Sequence, residues 1–270
     1  MSPASMDRRR ALRAAGLLAL GAPLAACGST ATDRHAAEPG TTHGSSPAPA
    51  GSATGNGPPG TTTPTAPALA LPPEVVRGSA DRPAVALTFH GQGSPAQAEA
   101  VLAELDNGGA RATVLAVGSW LAANPTIATR ILDAGHELGN HTQNHGPISQ
   151  MSAAQAYAEI DACAQVLRRL TGSIGAWFRP SQTQYSTAGI REQARKVGYP
   201  TCLSYDLDSL DYTDPGAAAV VHNVMSAARN GSIVSLHFGH AGTVEAVPQI
   251  LAGLAARGLR PVTMTDLMRG

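Results

Sequence analysis

From residue 83 onward, short apolar runs alternate with amphipathic stretches, and this alternation constrains the fold more than any other feature of the chain. Residues 84–89, Ala-Val-Ala-Leu-Thr-Phe, form a nearly continuous apolar run, as a strand buried on both faces requires. Ser94 and Pro95 then open a helix whose apolar stripe is Ala98, Val101, Leu102 and Leu105, and Gly108-Gly109 end it. The pattern continues with a strand at 112–117, a helix at 125–134 and a strand at 136–138. Ser152 and Gln155 are spaced as a capping box for a helix with the stripe Ile160, Cys163, Val166, Leu167 and Leu170. Strands at 176–178, 201–206, 232–238 and 260–264 alternate with helices at 187–197, 217–229 and 244–257. Seven strands, each separated by a helix, imply parallel β–α units, an α/β domain closed or partly closed as a barrel. In such folds the chemistry collects at the C-terminal ends of the strands.

The residues before this domain have a different texture. Arg8, Arg9, Arg10 and Arg13 lead into an apolar run at 14–26, too short to span a bilayer comfortably. It closes on Leu24-Ala25-Ala26-Cys27, which resembles a lipobox with Cys27 as the lipidated residue. The arginine run also resembles a twin-arginine export signal. Residues 28–75 are mostly Gly, Ser, Thr, Pro and Ala, a composition that cannot build a core and reads as a disordered tether. His35 and His43 fall in it as linker residues. The expected organisation is a lipoprotein signal at 1–27, a linker at 28–75 and a catalytic-type domain at 76–270, exported and lipid-anchored to the outer face of the cell membrane. The chain carries 19 basic and 19 acidic residues; without its first 13 residues the balance is 15 to 18, which excludes the basic field of a nucleic-acid binder. Cys163 and Cys202 lie in apolar patterns and read as free, buried thiols.

The polar residues gather where the strands end. His90-Gly91-Gln92-Gly93 follows the first strand, Asn140 to His145 the third, and Arg179-Pro180-Ser181-Gln182 the fourth; Asp206, Asp208 and Asp211 surround the fifth, and His237 and His240 close the sixth. His141 and His145, four apart, can share a metal. With nine histidines about 0.3 such pairs arise by chance, so it is the strand-end placement that gives the pair meaning. His237 suits a general acid or base, because imidazole titrates near neutrality. Asp208 and Asp211 could orient His237 or Arg179, or simply cap the following loop. His136 reads as structural and His222 as a surface residue.

In order along the chain, these segments resemble the motifs of the NodB-type polysaccharide deacetylases, carbohydrate esterase family 4. Gly135 to His145 is similar to the family's second motif, Phe178-Arg179-Pro180 to the third, Asp208 to Tyr212 to the fourth, and Ser232 to His237 to the fifth. The resemblance implies a distorted (β/α)7 barrel, a divalent metal, usually zinc, and hydrolysis of acetyl groups on a polysaccharide. It implies that His141 and His145 bind the metal and that His237 protonates the leaving amine, supported by Asp208 or Asp211. It also implies that a backbone N–H after Arg179-Pro180 shares the oxyanion. The first motif departs from the family: Thr-Phe-Asp-Asp-Gly is replaced by Thr88-Phe89-His90-Gly91-Gln92, which removes a metal ligand and the general base together. The third motif continues Ser181-Gln182-Thr183 instead of the usual Tyr-Gly.

The expectation is therefore a surface hydrolase that deacetylates cell-wall or other N-acetylglucosamine-containing polysaccharide. His90 takes over as third ligand beside His141 and His145, and His240 is the candidate base. The alternative is a non-catalytic glycan-binding lipoprotein on the same fold. A serine esterase is disfavoured, because the chain has no G-x-S-x-G elbow.

Overall fold

The structure, a computed structural model, describes residues 71–269. In chain order the elements are β1 (Glu74–Val75), β2 (Ala84–Gly91), α1 (Pro95–Asn107), β3 (Thr113–Ala116), α2 (Gly118–Ala123), α3 (Pro125–Asp133), β4 (Glu137–Asn140), α4 (Ala153–Thr171), α5 (Ala188–Val197), β5 (Cys202–Leu203), β6 (Leu207–Asp208), α6 (Ala217–Ala227), β7 (Ile233–His237), α7 (Ala241–Ala256), β8 (Arg260–Val262) and α8 (Met264–Arg269). The signal and lipidation site at 1–27, Cys27 included, lie outside the described residues, as does the tether through residue 70. No helix among the described residues is long and apolar enough to cross a membrane.

All strand pairs are parallel. The ladder runs β4-β3-β2-β7-β6, with β8 joining the start of β2. Phe178 makes single bridges to Asn140 on one side and to Cys202 on the other. Residues 202–208 carry both β5 and β6, so the ladder returns to itself through one segment that changes partners midway. This is the expected α/β barrel, but its fourth and fifth strands are shorter than the apolar runs suggest. Residues 176–178 contribute only the bridge at Phe178. Residues 201–206 yield two-residue β5 and then turn, because the Asp206 carboxylate, rather than a backbone carbonyl, takes the Ile233 N–H at 2.7 Å. The ordered domain also starts before residue 76, since Glu74–Val75 pairs with β5.

Strand parity divides the core. On β2, Val85, Leu87 and Phe89 face the helices, together with Val114 and Ala116 of β3 and Val234 and Leu236 of β7. Ala84 and Ala86 face the barrel interior with Leu115, Leu203 and Ile233. Small side chains at the bottom of the interior leave room for larger polar ones at the top of the same parity, and β2 ends there with His90. The helices follow their sequence signals. Ser152 and Gln155 form the reciprocal capping box of α4, Pro95 opens α1, and the buried stripe of α1 is the four residues expected. Cys163 and Cys202 are free and buried. Burial raises their thiol pKa values to about 12 and about 11, so both are inert.

Candidate active site

β2 and β7 lie side by side with His90 opposite His237, and their ring centroids are 4.3 Å apart. His141 follows β4, and its ring lies 4.2 Å from that of His90 and 4.9 Å from that of His145. Parity explains why residue 90 enters the site and residue 91 does not. A Cβ on Gly91 would point outward and meet Val114 Cγ1 at 2.9 Å and Ala116 Cα at 3.1 Å.

The loops that carry these groups are held in costly backbone conformations. Among the described residues five non-glycine positions have positive φ: Thr142, His145, Gln182, Leu210 and Asp214. All five belong to loops at the C-terminal strand ends, where strain of this kind is kept for function. Side chains fix the turns: Asn140 Oδ1 accepts the Thr142 N–H at 2.9 Å, and Gln182 Nε2 donates to the His145 carbonyl at 2.7 Å.

His90, His141 and His145 each offer a ring nitrogen, and the three nitrogens lie within 4.8 Å of one another. Burial, then the neighbouring histidines, holds His90 and His141 well below the usual imidazole range, so both are neutral at pH 7. His141 Nδ1 donates to the Arg179 carbonyl at 2.9 Å, which leaves Nε2 as the lone-pair nitrogen; that atom is buried without a hydrogen-bond partner. An orphaned, deprotonated nitrogen among neutral imidazoles fits a late divalent ion such as zinc. Three ligands of a tetrahedral zinc stand about 3.3 Å apart when Zn–N is about 2.0–2.1 Å, a separation inside the 4.8 Å that bounds this cluster.

His237 is oriented by a carboxylate. Asp211 accepts from His237 Nδ1 at 2.7 Å, from the His237 backbone N–H at 2.8 Å and from Thr243 Oγ1 at 2.6 Å. These bonds outweigh burial and hold the Asp211 carboxyl below its usual range. Asp208, the other candidate, does not reach His237; its carboxylate accepts the Leu210 N–H at 3.0 Å and the Tyr205 hydroxyl at 3.4 Å. His240 Nδ1 pairs with Asp214 at 2.8 Å, and its ring lies 5.9 Å from that of His237. Arg179 is fully buried under the cluster and donates to the Leu203 and Ser204 carbonyls and to His90. Burial lowers its pKa to about 9, which keeps it charged at neutral pH.

His90, His145, His237, His240, Asp208 and Tyr212 share one open cavity of about 410 Å³. His136 is not part of it. Its Nδ1 accepts the Ala112 N–H at 3.2 Å at the far end of the strands, the structural role expected. Three contributors escaped the sequence reading: Ser235, Tyr205 and Thr243. Ser235 had a legible signal, since it lies two residues before His237 on the same strand face.

A parallel α/β barrel with an Asp–His pair and a histidine cluster at its strand ends has the parts of a metal-assisted hydrolase site. The chain matches the family described as polysaccharide deacetylase over residues 77–202. It is 32% identical over 189 residues to a peptidoglycan-N-acetylglucosamine deacetylase of Bacillus cereus, covering 68% of this chain and 88% of that protein. A solved family 4 carbohydrate esterase from Streptomyces lividans in complex with acetate is 30% identical, with a TM-score of 0.62, covering 66% of this chain and 91% of that one. A family 4 pseudoenzyme from Bacillus anthracis shares the fold, with a TM-score of 0.69 at 23% identity, covering 73% of this chain and 69% of that one. Longer relatives are spanned only in part, 38% in the case of a peptidoglycan-N-acetylmuramic acid deacetylase of Bacillus subtilis. The chain belongs to the polysaccharide deacetylase family.

Proposed function

We propose that this chain is an exported, lipid-anchored hydrolase that removes acetyl groups from N-acetylated cell-wall glycan, with His90, His141 and His145 as the ligands of a divalent ion. The observation that carries the reading is the Asp211–His237 pair standing against three neutral imidazoles over one cavity. The ion, when bound, supplies Lewis-acid polarisation of the acetyl carbonyl and acidifies water. The chain's own groups do the rest. The backbone N–H of Ser181, just after Arg179-Pro180, donates to the carbonyl oxygen as negative charge develops on it. His240 takes a proton from the attacking water, and His237 Nε2 gives one to the departing nitrogen as the C–N bond breaks, leaving acetate and a free amine. Asp211 keeps the His237 proton on Nδ1 and stabilises the imidazolium.

Acetate release from N-acetylglucosamine oligomers and from isolated peptidoglycan tests this. The wild-type chain with zinc should release acetate, and His237→Ala should release at least about a hundredfold less. A second reading, a glycan-binding lipoprotein without catalysis, is favoured by one feature: neither position 90 nor 91 carries a carboxylate. Glycan binding without acetate release from any metal-loaded sample would establish it.

A further inference from the structure

Arg179 touches two of the three imidazoles with two different groups. Its carbonyl accepts from His141 Nδ1, which frees His141 Nε2 for a metal. Its guanidinium does the opposite to His90, because Nη1 lies 3.3 Å from His90 Nε2. A guanidinium only donates, so Nε2 of His90 is the acceptor and the proton of the neutral ring sits on Nδ1. A neutral imidazole has a single in-plane lone pair, and Arg179 already holds that of His90.

From this geometry we propose that Arg179 competes with the metal ion for His90, so that the buried guanidinium weakens metal capture. The inference rests on the reading of His90 as a ligand. Either ring nitrogen leads to the same conflict. If Nε2 ligates, the Arg179 bond is lost. If Nδ1 ligates, its proton leaves and one is taken up at Nε2, with no net release, and the new N–H faces the Arg179 donor. Ser235 Oγ, 3.5 Å from His90 Nε2, is the nearby group able to accept that N–H. Charge acts in the same direction. Among the described residues no carboxylate lies within ion-pair distance of Arg179, and Asp208 acts on it only from farther away, so the guanidinium stays positive beside a site that must admit a dication. A partner that orients a ligand normally strengthens binding, and its loss costs about 10–100-fold in affinity. Arg179 has the reverse sign at His90.

The test is zinc affinity, measured by competition with a chromophoric chelator on the full chain, for wild type, His90→Ala, Arg179→Met and Arg179→Lys. Arg179→Met should bind zinc about tenfold or more tightly than wild type, and Arg179→Lys, which keeps the charge, should gain less. If His90→Ala binds as tightly as wild type, His90 is no ligand, and the inference falls with that reading. If His90→Ala binds more weakly while Arg179→Met is unchanged or weaker, the competition is refuted and the ligand assignment stands. Should Arg179→Met fail to fold, ¹⁵N shifts of His90 in the metal-free wild type decide it. Nε2 should be the unprotonated nitrogen, and when zinc binds, Nε2 should either take the metal or take up the proton that leaves Nδ1. A metal-free ring protonated at Nε2 would overturn the proposal.

Discussion

Whether a carboxylate can be returned to this site depends on which of two adjacent residues receives it. Position 91 faces Val114 and Ala116 outside the barrel, so Gly91→Asp forces a charged group into the helix-facing core. It should cost about 2–4 kcal/mol in urea unfolding. His90→Asp keeps the inward parity and sets a carboxylate toward the unpaired guanidinium of Arg179, so its stability should equal or exceed wild type. The opposite order of the two unfolding midpoints would show that the parity assignment is wrong. His136 contributes to acid stability. Burial lowers its pKa to about 4, so the folded state prefers the neutral ring and the unfolded chain takes up the proton first. Its contribution is complete above pH 6.5 and is lost as pH falls toward 4, by roughly 3 kcal/mol. The stability difference between wild type and His136→Asn should shrink by that amount between pH 7 and pH 4, and a pH-independent difference would refute the assignment. At this scale the candidate site was largely legible, because His90, His141, His145 and His237 each sit at a strand end that an apolar run announces. Tyr205 and Thr243 were not, since their partners, Arg179 and Asp211, come from other parts of the chain, whereas Ser235 shares the strand face of His237.

Elements differed in legibility for the same physical reason. Helices carry their own signals, caps and a 3.6-residue stripe, and α1, α4 and α5 appear nearly where those signals put them. A two-residue strand has no period to read: the apolar run at 201–206 announces β5 but not its length, and β6 emerges only from its pairing with β7. Strand β1 was hidden for a further reason: it follows Pro72-Pro73 and looks like the end of the tether. It is nevertheless well anchored. Val75 is buried, the Pro73 and Val75 carbonyls accept the Cys202 and Ser204 N–H groups, and Glu74 accepts from the backbone and hydroxyl of Ser186. A fragment beginning at residue 77 should therefore be less stable than one beginning at 71 by about 3–5 kcal/mol. Coincident urea midpoints for the two fragments would mean that β1 adds nothing to the barrel.

For the whole molecule, the proposed substrate sets a requirement that the barrel alone does not meet. Cell-wall glycan is an insoluble polymer, and an enzyme that acts on it gains from being held in the same layer. The sequence offers two readings of attachment, an uncleaved leader carrying the basic run Arg8 to Arg13 or the lipidated Cys27 proposed above, and they differ in physics. Attraction of arginines to anionic lipid is screened within about 10 Å at 0.1 M salt and weakens further as salt rises. Burial of acyl chains contributes about 0.8 kcal/mol per CH₂ and does not depend on salt; a single chain holds only marginally, so a stable anchor needs two. If Cys27 carries the anchor, the wild-type chain should stay with the membrane fraction through a 1 M salt wash and be extracted by detergent. It should also incorporate labelled fatty acid. Cys27→Ala should incorporate no label, and any of it left on the membrane through an uncleaved leader should run at a higher mass than the mature wild type. Equal labelling of the two chains, or release of the wild type by salt alone, would remove Cys27 as the point of attachment.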